Sequence, residues 1–169
     1  VTASSEYDGQ VTAIRTTLLT VEGIGRVHDR PRLGDFRERW VVELAGVPEI
    51  RAWEIQTGNT RTVRREQGRR HRYREWQVNG MVGLADLPLE DSENPTGDSN
   101  LDASWHTINR LAGEAADAVD AAREAWVAAE LFIETEPTET AEPTVIQIGG
   151  GPICWGTTLT IRGYTILTP

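Results

Sequence analysis

The sequence predicts an α+β fold: a single mainly antiparallel β-sheet with a long α-helix packed on one face, plus an N-terminal helix and a long β-hairpin. Three observations predict it. Leu101, Trp105, Ile108, Ala112, Ala115, Val119, Ala122, Trp126, Ala129 and Ile133 follow one another at steps of four and three. That spacing fits one stripe of a helix and no strand. From Glu49 to Leu84 the apolar period changes to two, and it does so again from Ile153 to Leu167 after a triple glycine. Strands that return this soon are joined as hairpins, hence antiparallel.

In chain order, Tyr7, Val11, Ile14 and Leu18 mark a first helix, with Ser4 or Ser5 as its cap. Gly9 inside it costs up to about 1 kcal/mol against Ala, so its first turn is expected to fray. Ile24 to His28 reads as a short strand. The Gly23-x-Gly25 pair lacks the third glycine of a nucleotide loop and follows a helix where that loop would follow a strand. It is read as a turn. Arg30 to Arg39 is a charged connection broken by Pro31 and Gly34. A short helix then carries Phe36, Trp40 and Leu44, and Gly46 with Pro48 stops it. Val41 and Val42 suit a strand equally well.

The long hairpin comes next. Trp53 and Ile55 alternate with Glu54 and Gln56. Arg72, Arg74, Trp76, Val78, Val82 and Leu84 share one parity, while Tyr73, Glu75, Gln77 and Asn79 share the other. Between these strands stand Arg61, Arg64, Arg65, Arg69, Arg70 and Arg72, around a tip at Gln67-Gly68. One reading is a solvated hairpin tip. The other is a tip that meets an acidic partner surface or nucleic acid. Only Tyr73 interleaves the arginines, so base stacking has little support.

An acidic loop of Ser, Pro and Gly, near 88–99, leads into the long helix, which Ser99 can cap with Asp102 three residues on. Its large residues, Trp105 and Trp126, are expected to pack on the sheet at the two ends of a small-residue stripe. A coiled-coil seam would want branched residues there. Glu134 to Thr144 (ETEPTETAEPT) is too polar to pack and is expected to be exposed and mobile. The closing hairpin runs from Val145 to Ile148, through Gly149-Gly150-Gly151-Pro152, to Ile153–Leu167.

Composition bounds the function. At 169 residues the chain is the size of one domain, taken as 1–169 with flexible acidic segments near 88–99 and 134–144. No run of eighteen apolar residues could span a membrane. No charged-then-apolar leader opens the chain, so cytoplasmic synthesis is expected, with Val1 following a removed initiator Met. The single Cys154 excludes an intrachain disulfide and any multi-cysteine metal site. All 17 basic residues are Arg and the net charge is −9, so the chain as a whole is no polyanion binder. A GC-rich genome or a high-salt host would each give such a composition.

Chemistry is sparse. His28, His71 and His106 lie in three elements with no metal-binding spacing. His28 and Asp29 are adjacent in a strand, so they point to opposite faces. No serine sits in a GxSxG elbow, and Cys154 beside Trp155 reads as core. The expectation is no catalytic residue, no cofactor and no metal.

The runs GIGRVHDRPRLGDFRERW, IRAWEIQTGNTRTVRREQGRRHRYREWQVNGMVGL and GGGPICWGTTLTIRGYTIL, with the alanine-rich helix between the last two, resemble the tail terminator (tail completion) proteins of tailed bacteriophages and archaeal tailed viruses. VHD before a charged, Trp-bearing short helix and the R-x-W-E-I strand carry most of the resemblance, which covers about Val11 to Leu167. The acidic insert 134–144 and the longer helix before it depart from the family's compact form. The resemblance implies a structural virion protein and not an enzyme. It implies a ring, typically hexameric, that caps the tail tube protein and joins it to the neck or head-tail connector, with DNA passing through the lumen without sequence-specific binding and with no membrane partner. A ring subunit needs two different complementary patches. Arg61, Arg64, Arg65, Arg69, Arg70 and Arg72 on one side and the acidic stretches 90–98 and 134–142 on the other are the candidates. A head-tail joining protein and a small-molecule-binding α+β domain with a pocket under the long helix are the alternatives.

Overall fold

A computed structural model of the chain describes residues 3–31, 49–64, 70–84, 97–147 and 153–166. Helix α1 spans Ala3–Leu18 and buries Val11, Ile14 and Leu18. Ser4 and Ser5 lie within its first turn, whereas the sequence reading places a cap there ahead of the helix. Gly9 lets α1 come close to its neighbours, because a Cβ there would stand 3.1 Å from Leu131 Cδ2. The chain then turns through Gly23 and Gly25, at φ 74° and 84°. A side chain at Gly25 would also collide with the Arg51 carbonyl oxygen, 2.3 Å from the Cβ position. The glycine pair is therefore a turn, as its place after a helix implied.

Strand β1 (Arg26–His28) runs parallel to β2 (Glu49–Arg64), with Val27 opposite Trp53. β2 forms the expected hairpin with β3 (Arg70–Leu84), in register from Glu49↔Leu84 to Arg64↔Arg70. Helix α2 (Gly97–Ala128) follows. Next come three short strands, β4 (Glu134–Thr135), β5 (Glu139–Thr140) and β6 (Thr144–Gln147), and then the long β7 (Ile153–Ile166). β7 pairs antiparallel with β3 on one side and with β4, β5 and β6 in succession on the other. The sheet thus runs β1-β2-β3-β7-β4, with β5 and β6 continuing β4's edge. The fold is α+β around one mainly antiparallel sheet.

Both helices lie on one face. Trp53, Ile55, Trp76, Val78, Val82, Leu159 and Ile161 form the sheet's side of the core. Trp53 is fixed there by donating its indole N–H to the Ile24 carbonyl at 3.0 Å. The opposite face carries a small apolar cluster, Ile50, Ala52, Met81 and Cys154, with Ile146 against it. Cys154 is core, as read, and burial pushes its thiol up to about 11.

Helix α2 departs from the sequence reading at both ends. Trp126 is buried, but Trp105 is 40% exposed and meets the neighbouring His106 ring edge-on, 5.0 Å between ring centres. Leu111, which the four-and-three stripe omits, is fully buried, and so is Ser104. These two draw the buried face round the helix and leave Trp105 on its shoulder. At the other end the helix stops at Ala128, before Ile133. Glu130 adopts φ 58°, and the N–H groups of Leu131 and Glu130 donate to the carbonyls of Trp126 and Val127. This pair of bonds is a Schellman cap, with Glu at the position that favours Gly. Phe132 then turns under the sheet's end, its ring 5.9 Å from that of Trp126.

The acidic segment 134–144 is also corrected. Its side chains are largely exposed, but its backbone packs along β7, through β4, β5 and the bonds from Glu136 N–H to Arg162 O and Ala141 N–H to Thr158 O. Polar composition did not prevent this, because an edge strand needs only backbone groups on one side. The short helix expected near 34–46, the hairpin tip at 65–69, the acidic loop at 85–96 and the glycine turn at 148–152 lie outside the described residues.

Candidate assembly surfaces

The arginines grouped by the sequence are separated by the strand register. Between the pairs Thr57↔Trp76 and Thr60↔Arg74, Gly58 and Asn59 together oppose Glu75, a β-bulge. Gly58 makes room for that carboxylate, since a Cβ would lie 2.7 Å from Glu75 Oε1. Beyond the bulge Arg61 opposes Tyr73, on the face away from the helices, and its guanidinium lies 4.8 Å from the Tyr73 ring centre. Arg72 opposes Thr62, on the helix face, and is drawn inward to Glu6 at 3.7 Å. Arg64 and Arg70 oppose each other where the strands end, with Arg70 exposed. Arg65 and Arg69 lie outside the described residues. Of the six, Arg61 and Arg70 are seen at the surface, whereas Arg72 is half-buried.

Beneath the hairpin's base is a polar core that the sequence reading missed. The fully buried Gln10 donates from Nε2 to the Leu131 carbonyl at 2.8 Å. Its Oε1 accepts from Arg74 Nη1 at 3.1 Å and from Trp76 Nε1 at 3.2 Å. Arg74 lies against the rings of both Tyr7 and Trp76, 5.7 and 5.6 Å from their centres, and pairs with Glu6 at 3.7 Å. Burial lowers the pKa of Arg74, with Glu6 opposing that shift. Thr165 donates to Glu6 at 2.9 Å, which ties α1 to β7. The available signal was Gln10 itself, a polar residue beside the apolar stripe of α1 next to Val11.

The two edges of the sheet differ in kind. β1 covers β2 only at Ala52, Trp53 and Glu54. Past that point no described strand pairs with the outer side of β2, and Thr57, Asn59, Thr60, Arg61 and Thr62 are exposed. At the opposite edge Glu134, Glu139 and Glu142 are exposed. Pro137 and Pro143 interrupt that edge, and Thr138 donates its N–H to Asp120 of α2 at 3.2 Å. Asp120 also takes Arg123 in an ion pair.

Arg162 on β7 organises the acidic edge. It donates to Glu75 at 3.0 Å and contacts Glu139 at 2.6 Å. The Arg162 hydrogen bond holds the Glu139 carboxyl below its ordinary range, and the two carboxylates raise the pKa of Arg162. Tyr164 donates its hydroxyl to Glu136 at 3.0 Å and meets the Tyr73 ring edge-on at 5.4 Å. Burial is the main reason that the Tyr73 pKa is raised.

His28, His71 and His106 stand on β1, β3 and α2, and among the described residues no group of three His, Cys, Asp or Glu side chains could hold a metal ion. No described helix is long and apolar enough to cross a membrane. A groove of about 490 Å³ beside α1 is lined by Tyr7, Asp8, Val11, Thr12, Arg15, Asp29 and Arg30; no residue of α2 lines it. The sequence matches no model of a known protein family and no curated protein.

Proposed function

We propose that this chain is a structural virion protein, a ring-forming tail terminator that caps the tail tube and joins it to the neck. The resemblance of its sequence from about Val11 to Leu167 suggests the role, and the α+β architecture is compatible with it. The observation that carries the proposal is the pair of unlike sheet edges. One has no described strand beyond Glu54 and bears the exposed Arg61, and the other bears Glu134, Glu139 and Glu142. A ring needs two different surfaces on every copy, and a single sheet that ends in opposite charge supplies them. In this reading the chain has no catalytic role. Its partners are its own copies, the tube protein and the head-tail connector, and DNA passes the lumen without base readout. The particle's tail and neck are its location.

The test is to add the purified protein to uncapped tail tubes and examine them by electron microscopy. The proposal expects a ring at one end of each tube. Tubes left bare by a protein that stays monomeric would overturn it. Changing Arg64, Arg65, Arg69 and Arg70 to Gln is expected to weaken ring or tube association, most visibly as salt rises. If that variant assembles normally and only DNA retention changes, these arginines face the lumen.

A further inference from the structure

We infer that the copy-to-copy contact is edge to edge: the open, cationic edge of β2 in one copy meets the acidic edge formed by β4, β5 and the residues up to Glu142 in the next. The inference rests on the ring proposal only in taking a second copy as the occupant. The structure supplies the rest. β2 leaves its outer side unpaired by any described strand beyond Glu54, and Arg61 on that strand is exposed. A strand edge exposed in this way invites another chain.

Like edges do not suit each other. Two β2 strands side by side would set the exposed Arg61 of one copy near the same cation of the other, and like charges across a strand pair are destabilising. Two acidic edges would repel in the same way. Only unlike edges match, which makes the contact heterologous, as a ring requires. Nor can the acidic edge give a long ladder. Pro137 and Pro143 lack an N–H, and the Thr138 N–H is already taken by Asp120. Side-chain charge, and not a continuous ladder, therefore dominates the contact. Glu136 and Glu139 are held by Tyr164 and Arg162, so they stand in fixed positions at the acidic edge, while Glu134 and Glu142 are exposed at its two ends. A contact of this make-up weakens as salt rises, because exposed charges are screened within about 10 Å at 0.1 M.

Charge reversal tests it on the full chain. One variant carries Thr60→Glu and Arg61→Glu, a second carries Glu134→Arg and Glu142→Arg, and a third carries all four. Sedimentation velocity reads assembly, and circular dichroism with thermal unfolding checks the fold. Each two-site variant is expected to need about tenfold or more protein for half-assembly than the native chain. An equimolar mixture of the two is expected to recover assembly, and so is the four-site variant, because unlike edges face each other again. If folded two-site variants assemble as the native chain does, or if neither the mixture nor the four-site variant recovers, the edge contact is wrong while the ring proposal stands. If the native chain is itself a monomer at every concentration, the ring proposal fails first.

Discussion

Gln10 on α1 accepts a hydrogen bond from Arg74 on β3 at 3.1 Å, and the same oxygen holds the Trp76 indole N–H. One fully buried amide thereby takes one N–H of a buried guanidinium and the indole N–H of a core tryptophan, while its NH₂ secures Leu131 just past α2. Gln10→Leu keeps the volume but leaves the Trp76 indole and the Leu131 carbonyl without this partner, and leaves Arg74 with Glu6 alone. Leaving buried polar groups unpaired costs about 1–3 kcal/mol each, more for a charge, so a loss of about 2–4 kcal/mol is expected after partial rearrangement. Urea denaturation measures it, and an unchanged midpoint would show that the amide is dispensable.

The two tryptophans of α2 should behave differently. Trp126 is 5% exposed and is expected to cost about 3–5 kcal/mol on truncation to Ala. Trp105, at 40% exposed, is expected to cost about 1 kcal/mol or less. Equal losses in thermal unfolding would contradict the rotation of the buried face toward Leu111.

Glu130 adopts φ 58° at the Schellman position. A left-handed conformation costs a non-glycine residue about 1–2 kcal/mol, part of which is offset by the greater freedom of Gly in the unfolded chain. Glu130→Gly is expected to gain about 1 kcal/mol and to raise the melting temperature by about 2–4 °C. Glu130→Ala, still at positive φ, should not. A lower melting temperature for the glycine variant would disprove the strain at this cap.

The Glu139–Arg162 pair makes a pH signature. The folded-state pKa of Glu139 lies below its ordinary value of 4.5. Its contribution is therefore present above that value and is lost as pH falls through the depressed one. Glu139→Gln is expected to flatten the acid side of the stability-against-pH curve and to leave its alkaline side unchanged. The same acid-side slope in both proteins would mean that the pair forms equally in the unfolded chain.

The alternating parity of β3, the periodicity of α2 and the glycine turn after α1 were all legible, because each is a local repeat that one element imposes on its own sequence. What was hidden depended on pairs distant in sequence. Trp105 fits the apolar stripe, yet Leu111 and Ser104 decide which part of that stripe meets the sheet. Six arginines close in sequence looked like one patch, but the bulge at Gly58 and Asn59 and the strand parity send Arg61 to one face and Arg72 to Glu6 on the other. The segment 134–144 looked unpackable because composition reports side chains, whereas β7 binds its backbone. Gln10 was passed over because a single polar residue beside an apolar stripe shows its partners only when Arg74 and Trp76 are placed in space.

Assembly through two unlike sheet edges should show in the mass of the native protein in solution. Light scattering behind a size-exclusion column, run at low and high salt, reads that mass without reference to any partner. At low salt the protein is expected to form a closed particle whose mass is a whole-number multiple of 18.7 kDa and which shifts toward single copies as salt rises. A species of 18.7 kDa at every concentration and salt would contradict it.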